Sequence, residues 1–482
     1  MDERHDPATI DAVNGQPPAP DVPQRLDGPF DVEVPHDVPA GGDDTTSDLA
    51  DASTAVRDGF DGLHDILGDL PPTDAVDGLS DVLPDGPPWD TECTAPLVPC
   101  GGLCVDTRTN PLHCGRCDRM CSGTCSMGEC FEANDVATGA EHTCAISREG
   151  RLRCWGANED GQVGNGSTSN QNRPVAVGEE RYVTVGLGNA HSCAVRADGA
   201  VRCWGANNVG QLGDGTRTAS SAPVLVQGLG NAVQVVGGNN FTCARLMDSS
   251  VRCWGSNQRG QLGNGLSIDS LLPVMPLGLV AAVDIAAGNE HVCAALTNGR
   301  VSCWGRNDRG QLGHSDTMDV NRPREVSGLV NVRQIEAGSK FTCALTTNNE
   351  VRCWGENNHR QLGNNSTVDN SATPVTVMNL QGLSVAQLGC GGNQCCVVLS
   401  EGSVRCWGDN ARGQLGDGTM TDRGAPVVVM GLTDAVQVTT RGNGHTCARS
   451  NRGTIACWGD NAKGQLGDGS LTNRLTPTPV AF

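Results

Sequence analysis

Twenty-four cysteines lie between Cys93 and Cys457, even in number and regularly spaced. A thiol can ligate a metal, act as a nucleophile or pair with another thiol, and an even count at repeat spacing favours disulfides in an oxidising compartment. Fourteen of them form seven couples, each separated by ten positions: Cys144 and Cys154, Cys193 and Cys203, Cys243 and Cys253, Cys293 and Cys303, Cys343 and Cys353, Cys396 and Cys406, and Cys447 and Cys457. Cys390 and Cys395 are a candidate additional pair. The remaining eight, Cys93, Cys100, Cys104, Cys114, Cys117, Cys121, Cys125 and Cys130, crowd into residues 91–131. Cys114 and Cys117 beside His113 have the spacing of half a zinc site. No second Cys-x-x-Cys accompanies them, so four disulfides of open connectivity fit better.

Other residue types invite chemistry and are better read as scaffold. His142, His191, His291 and His445 share one repeat position, two before a cysteine, as a ring of metal ligands would. Phe241, Phe341 and Gln394 fill the same position elsewhere, so the position serves structure. Seven of the eight tryptophans, Trp155, Trp204, Trp254, Trp304, Trp354, Trp407 and Trp458, each follow a hairpin cysteine. Recurrence at one place in every unit reads as packing between units rather than as a ligand surface. Segments such as Gly210-Gln211-Leu212-Gly213 lack the following Lys-Ser/Thr of a phosphate loop and read as turns. No nucleophile with its base, no carboxylate pair peculiar to one unit and no Ser-x-Asp-x-Gly-x-Thr-Trp box stands out, so we expect no catalytic residues, no cofactor and no metal.

The elements that carry these residues follow from the spacing. An even separation places two cysteines opposite each other across a hairpin whose three-residue loop ends on a left-handed residue. Gly150, Gly199, Gly299, Gly402 and Gly453 suit that position, Asn349 tolerates it, and Ser249 departs. A Val-rich strand precedes each hairpin, and a further strand opens at Pro174, Pro223, Pro273, Pro323, Pro374, Pro426 and Pro479. Four strands in each of seven units predict an all-β, seven-bladed β-propeller over residues 132–482. The final strand is expected to complete the blade begun near Asp135, closing the ring as three strands plus one.

Residues 1–90 hold 22 Asp and Glu against three Arg, which is −19 of the chain's net −21, and read as a disordered acidic spacer. Residues 91–131 are too short to fold without covalent staples. The acidic balance argues against nucleic acid. No run of about 18 apolar residues could span a membrane, and the chain's first residues contain no visible signal peptide. The cysteines nevertheless predict an extracellular or cell-surface location, with the chain acting as a monomer.

The motifs His-Thr-Cys-Ala, Val-Arg-Cys-Trp-Gly and Asn-x-x-Gly-Gln-Leu-Gly-Asp-Gly resemble the regulator-of-chromosome-condensation repeat across residues 132–482. That resemblance implies a seven-bladed propeller and, from the founders of the family, nucleotide exchange on a small GTPase. The run Cys100-Gly-Gly-Leu-Cys104 through Cys114-Gly-Arg-Cys117 resembles stigma-specific-protein-like cysteine-rich modules, which implies an extracellular adhesive role. Departures within the array mark candidate binding loops: His314, Arg322, Arg360 and Arg423. The expected function is a non-enzymatic module that binds a protein or glycan through variable loops. Exchange-factor activity, or less readily a surface hydrolase, is the alternative.

Overall fold

The computed structural model describes residues 93–482 apart from 101, 102, 119, 122, 127 and 443, so the acidic segment 1–90 lies outside the described residues. Each ten-residue cysteine spacing becomes an antiparallel hairpin in which the two cysteines are direct partners, as in Cys144↔Cys154 and Cys447↔Cys457. All seven couples are disulfide-bonded with Cα atoms 4.0 to 4.1 Å apart, the close approach of a non-hydrogen-bonded pair. The residue that must turn left-handed does so in every hairpin, including Ser249 at φ 66° and Asn349 at φ 62°. Turn geometry therefore overrides the preference of serine at that position.

Seven four-stranded antiparallel sheets follow one another along the chain, each built from four consecutive strands. Blade one comprises Ala133–Thr138, His142–Ser147, Leu152–Gly156 and Gln171–Ala176, running from the inner to the outer edge. Blade seven comprises Ala435–Arg441, His445–Ser450, Ile455–Gly459 and Arg474–Pro479. The expected three-plus-one closure is thus corrected, because the last strand pairs within its own blade. Its register, Gly459↔Arg474 and Cys457↔Thr478, repeats that of blade one, Gly156↔Gln171 and Cys154↔Val175. Blades one and seven are each complete in four consecutive strands, so neither borrows a strand from the other.

The prolines are also placed differently from the expectation that they open strands. Pro174 and Pro223 are the fourth residues of their outer strands. Pro477, not Pro479, holds the equivalent place in blade seven. An outer strand has a neighbour on one side only, so a residue without an N–H is tolerated in its interior.

Packing, rather than strand exchange, joins the blades. Between blades one and two, Cys144, Cys154, Val163 and Val177 of the first meet Tyr182, Val185, Ala194 and Trp204 of the second. At the ring seam, Cys447, Cys457, Leu466 and Val480 of blade seven meet Ala133, Val136, Ala145 and Trp155 of blade one. Phe482 closes that seam by stacking on Phe131 at 4.1 Å between ring centroids and standing edge-on to Trp155. Each hairpin disulfide therefore fills the interface with the next blade as well as crossing its own strands.

The cysteine-rich segment has two short hairpins, Val98–Cys100 with Leu103–Val105 and Thr124–Ser126 with Glu129–Phe131. Disulfides join Cys93 to Cys104, Cys100 to Cys117, Cys114 to Cys125 and Cys121 to Cys130. Its small core is made of Cys114, Cys121 and Cys125 with Cys130 against them, so sulfur replaces the apolar side chains that so short a segment lacks.

Replacing both Cys193 and Cys203 with Ala is expected to cost about 3 kcal/mol or more in denaturant unfolding. The released hairpin loop accounts for most of that figure, and the lost packing against Trp254 adds to it.

Candidate interaction face

The junction between blades is built on the backbone carbonyl of the repeated glutamine. Trp204 Nε1 and Ser192 Oγ of blade two both donate to the Gln162 carbonyl of blade one, each at 2.8 Å. The tryptophan bond recurs in six blades, with Trp155, Trp204, Trp254, Trp304, Trp407 and Trp458 at 2.8 to 3.0 Å from their acceptors. Trp354 is buried with its N–H unpaired.

The histidines complete this junction. His142, His191, His291 and His445 each place Nε2 2.9 Å from a hydroxyl of the next blade, on Ser192, Thr242, Thr342 and Thr143. Since each of those hydroxyls donates to a glutamine carbonyl, it accepts from the imidazole, which fixes the proton on Nε2. Gln394 does the same to Thr446 at 2.9 Å. The exceptions match pairwise. Phe241 precedes a blade with Val292 at the hydroxyl position, and Phe341 precedes one with Cys395. Cys395 is there bonded to Cys390, so the extra disulfide of blade six occupies the place of a threonine.

Along the central channel, the third residues of the inner strands are Asp135, Thr184, Gln234, Asp284, Gln334, Gln387 and Gln437, and they form a polar belt. Its members bond across blades: Gln437 Nε2 donates to Asp135 Oδ1 at 2.8 Å, Gln387 Oε1 accepts from the Val438 amide at 2.8 Å, and Asp284 Oδ2 accepts from the Ile335 amide at 2.9 Å. Four residues further on, Gly139, Gly188, Gly238, Gly288, Gly338 and Gly391 are joined by one large side chain, Arg441. Its guanidinium reaches across the ring to donate to the Gly237 carbonyl. Arg441 lines both a cavity of about 230 Å³ at the belt and a pocket of about 20 Å³ among the glycines. Burial and the neighbouring Asp284 raise Glu336 to about 8, and burial lowers Arg441 to about 10. Sequence reading passed over Arg441. Aligning the inner strands would have shown it as the one large residue in a column of glycines.

The loops between third and outer strands are displayed on one face and share a single brace. A buried asparagine, such as Asn257, accepts the Leu262 amide at 2.9 Å and donates to the carbonyls of Leu266 and Ile268, both at 3.1 Å. Asn207, Asn410 and Asn461 repeat this pattern at the same offsets. With these carbonyls turned inward, the residues at the loop tips are left to solvent. In blades one and two the tips are polar, with Thr168, Ser169, Arg217 and Thr218 exposed. In the next five they carry Ile268 (71 % exposed), Met318 (73 %), Val368 (65 %), Met420 (59 %) and Leu471 (60 %).

The four loop residues singled out from sequence take different places. Arg322 and Arg360 are exposed, the latter left-handed at φ 63° where other blades have glycine. His314 is 6 % exposed, and its Nε2 donates to the Arg324 carbonyl at 2.9 Å. Arg423 binds Asp417 at 2.8 Å within its own loop, as Arg474 binds Asp468 at 2.9 Å in blade seven. His314 and Arg423 hold loops in shape, and the exposed apolar tips of blades three to seven are ones that sequence reading did not single out.

These features define a seven-bladed β-propeller with a disulfide across every hairpin and a braced loop face. The chain belongs to the RCC1-like domain family, which matches residues 122–397, and the regulator of chromosome condensation (RCC1) repeat matches residues 401–449. It is 35% identical over 109 residues to the ultraviolet-B receptor UVR8 of Arabidopsis thaliana, covering 22% of this chain and 25% of that protein. It is 36% identical over 88 residues to the protein RCC2 homolog of Danio rerio, covering 18% of each. The chain thus aligns with a quarter or less of the length of these curated relatives. Among solved structures, human WBSCR16 is similar with a TM-score of 0.62 and 25% identity, over 67% of this chain and 88% of that one. Prp20p of Saccharomyces cerevisiae shares the fold at a TM-score of 0.63 and 20% identity, over 70% and 87%.

Two outcomes test the junction. Thr242→Val should cost ~1–3 kcal/mol by leaving the buried His191 N–H without its acceptor, and adding His191→Phe should recover most of it, reproducing the Phe241–Val292 pairing. In pH dependence, burial holds His142, His191, His291 and His445 at about 3, against an ordinary value of 6.5. Below pH 6.5 the unfolded chain takes up protons that the folded chain refuses, so stability should fall as pH drops from 6.5 toward 3. Glu336 and Asp284, both raised, oppose this trend in smaller number. Urea unfolding across that range should show the decline, and His191→Phe should make it shallower.

Proposed function

We propose that this chain is a non-enzymatic interaction module, exported or held at a cell surface, that binds a partner protein through the loop face of its propeller. The arc of exposed apolar tips from Ile268 to Leu471 carries the reading. Apolar groups presented on a rigid frame favour a protein surface over a glycan, whose recognition calls for hydrogen-bonding groups. The disulfides support export, since all the described cysteines are paired, and many buried disulfides suit an oxidising compartment. The cysteine-rich module, with its stigma-specific-protein-like run, adds a second contact, and the acidic segment gives reach. The alternative, exchange activity on a small GTPase, draws on the family's founders, and paired cysteines weigh against the reducing compartment it needs.

Capture from native medium or cell surface by the full chain should enrich a specific protein. A variant with Ile268, Met318, Val368, Met420 and Leu471 changed to Ser should lose that capture while keeping its melting transition. Equal capture by the variant would sink the loop-face reading, and capture by glycan arrays alone would replace the protein partner with a sugar. Thiol counting on denatured, unreduced chain should find few reactive cysteines, and labelling of most of the 24 would remove the case for export.

A further inference from the structure

Two positions after the brace asparagine, three blades carry a cation paired with a carboxylate of the next blade. Arg259 reaches Asp319 at 3.3 Å, Arg309 reaches Glu356 at 3.4 Å and Lys463 reaches Glu159 at 2.5 Å. Blade five has His359 there, and it meets two carboxylates of blade six. Its Nδ1 lies 3.2 Å from Asp422 Oδ2 and 3.9 Å from Asp409 Oδ1, and one donor atom from each residue falls within 4.8 Å of the others. Both carboxylates are oriented by backbone: Asp422 Oδ1 accepts the Asn410 amide at 2.9 Å and Asp409 Oδ1 the Ala411 amide at 3.0 Å.

A second observation concerns the direction of Asp409. In blade seven the equivalent Asp460 turns inward, and Gln465 Nε2 donates to its Oδ2 at 3.1 Å. In blade six the matching Gln414, 1 % exposed, has Nε2 without a partner. Asp409 leaves that buried amide unsatisfied and faces His359 and Asp422 instead.

We propose that His359, Asp409 and Asp422 form a binding site for a divalent transition metal of the zinc class, clasping blade five to blade six. An imidazole nitrogen with two carboxylate oxygens is a donor set suited to zinc, whereas calcium and magnesium favour oxygen alone. Three protein donors leave a coordination position for solvent or for a partner's side chain. The side chains are 38, 20 and 36 % exposed, which gives the ion access. Asp422 also ends the loop that carries Met420, so a bound ion would stiffen part of the apolar arc.

Zinc chloride titrated into the full chain should show one saturable equivalent in calorimetry and raise the melting temperature relative to chelator-treated protein. His359→Arg restores the ion pair of blades three and four and should fold normally while losing that equivalent. Asp409→Asn should weaken it at least tenfold. Absence of saturable zinc binding, or unchanged binding in His359→Arg, would overturn the proposal; the second outcome would place the ion elsewhere.

Discussion

A single backbone carbonyl per blade, that of the repeated glutamine, organises the contact between neighbours. In six blades it accepts the indole N–H of the following tryptophan, Trp354 being left unpaired, and where the residue is Ser or Thr it accepts a hydroxyl that is itself held by an imidazole of the earlier blade or, at Thr446, by the Gln394 amide. All seven tryptophans are wholly buried, and a buried N–H without an acceptor is costly. The Gly-Gln-Leu-Gly turn therefore holds in place a carbonyl that the next blade's buried donors need. The hairpin disulfides pack into the same interface, so covalent bonding within a blade stiffens its contact with the next.

This division of labour separates scaffold from surface. The brace asparagines spend their side chains on loop carbonyls, so the side chains at the loop tips are not needed to hold those carbonyls in place. Exposed residues such as Ile268 and Met318 can then differ between blades without altering the frame that presents them. Where a charged loop residue does hold shape, as Arg423 does with Asp417, its equivalent Arg474 repeats the contact in blade seven. Difference between repeats is thus informative only after local braces such as His314 have been set aside.

Blade number, hairpin position and the pairing of the hairpin cysteines were legible because each depends on local spacing, whereas the connectivity within 91–131 was not. Ten residues between cysteines, with a left-handed position inside, define a hairpin wherever the segment sits. The meaning of the His and Phe alternation was not legible, since its partner lies about fifty residues away: His191 is explained by Thr242, and Phe241 by Val292. Ring closure failed as an expectation for a similar reason, because a terminal Pro-Val strand is equally compatible with pairing inside its own blade or across the seam. The register of Arg474–Pro479 against Ile455–Gly459 decides the matter, and Phe482 then stacks on Phe131 at the seam.

The sequence by itself determined an all-β ring of seven stapled units, because the repeat writes each hairpin into consecutive residues and the copies share one frame. Tertiary structure alone decided what stands between the units and what is left over. It set Arg441 across the channel, turned His314 inward, brought His359 to two carboxylates of the next blade, and displayed five apolar tips on one face. Arg441 and His359 meet residues of other blades, while His314 and the apolar tips are placed by contacts folded back within their own blades. Such contacts are governed by the ring's geometry and by which buried groups find partners, and spacing along the chain does not record that.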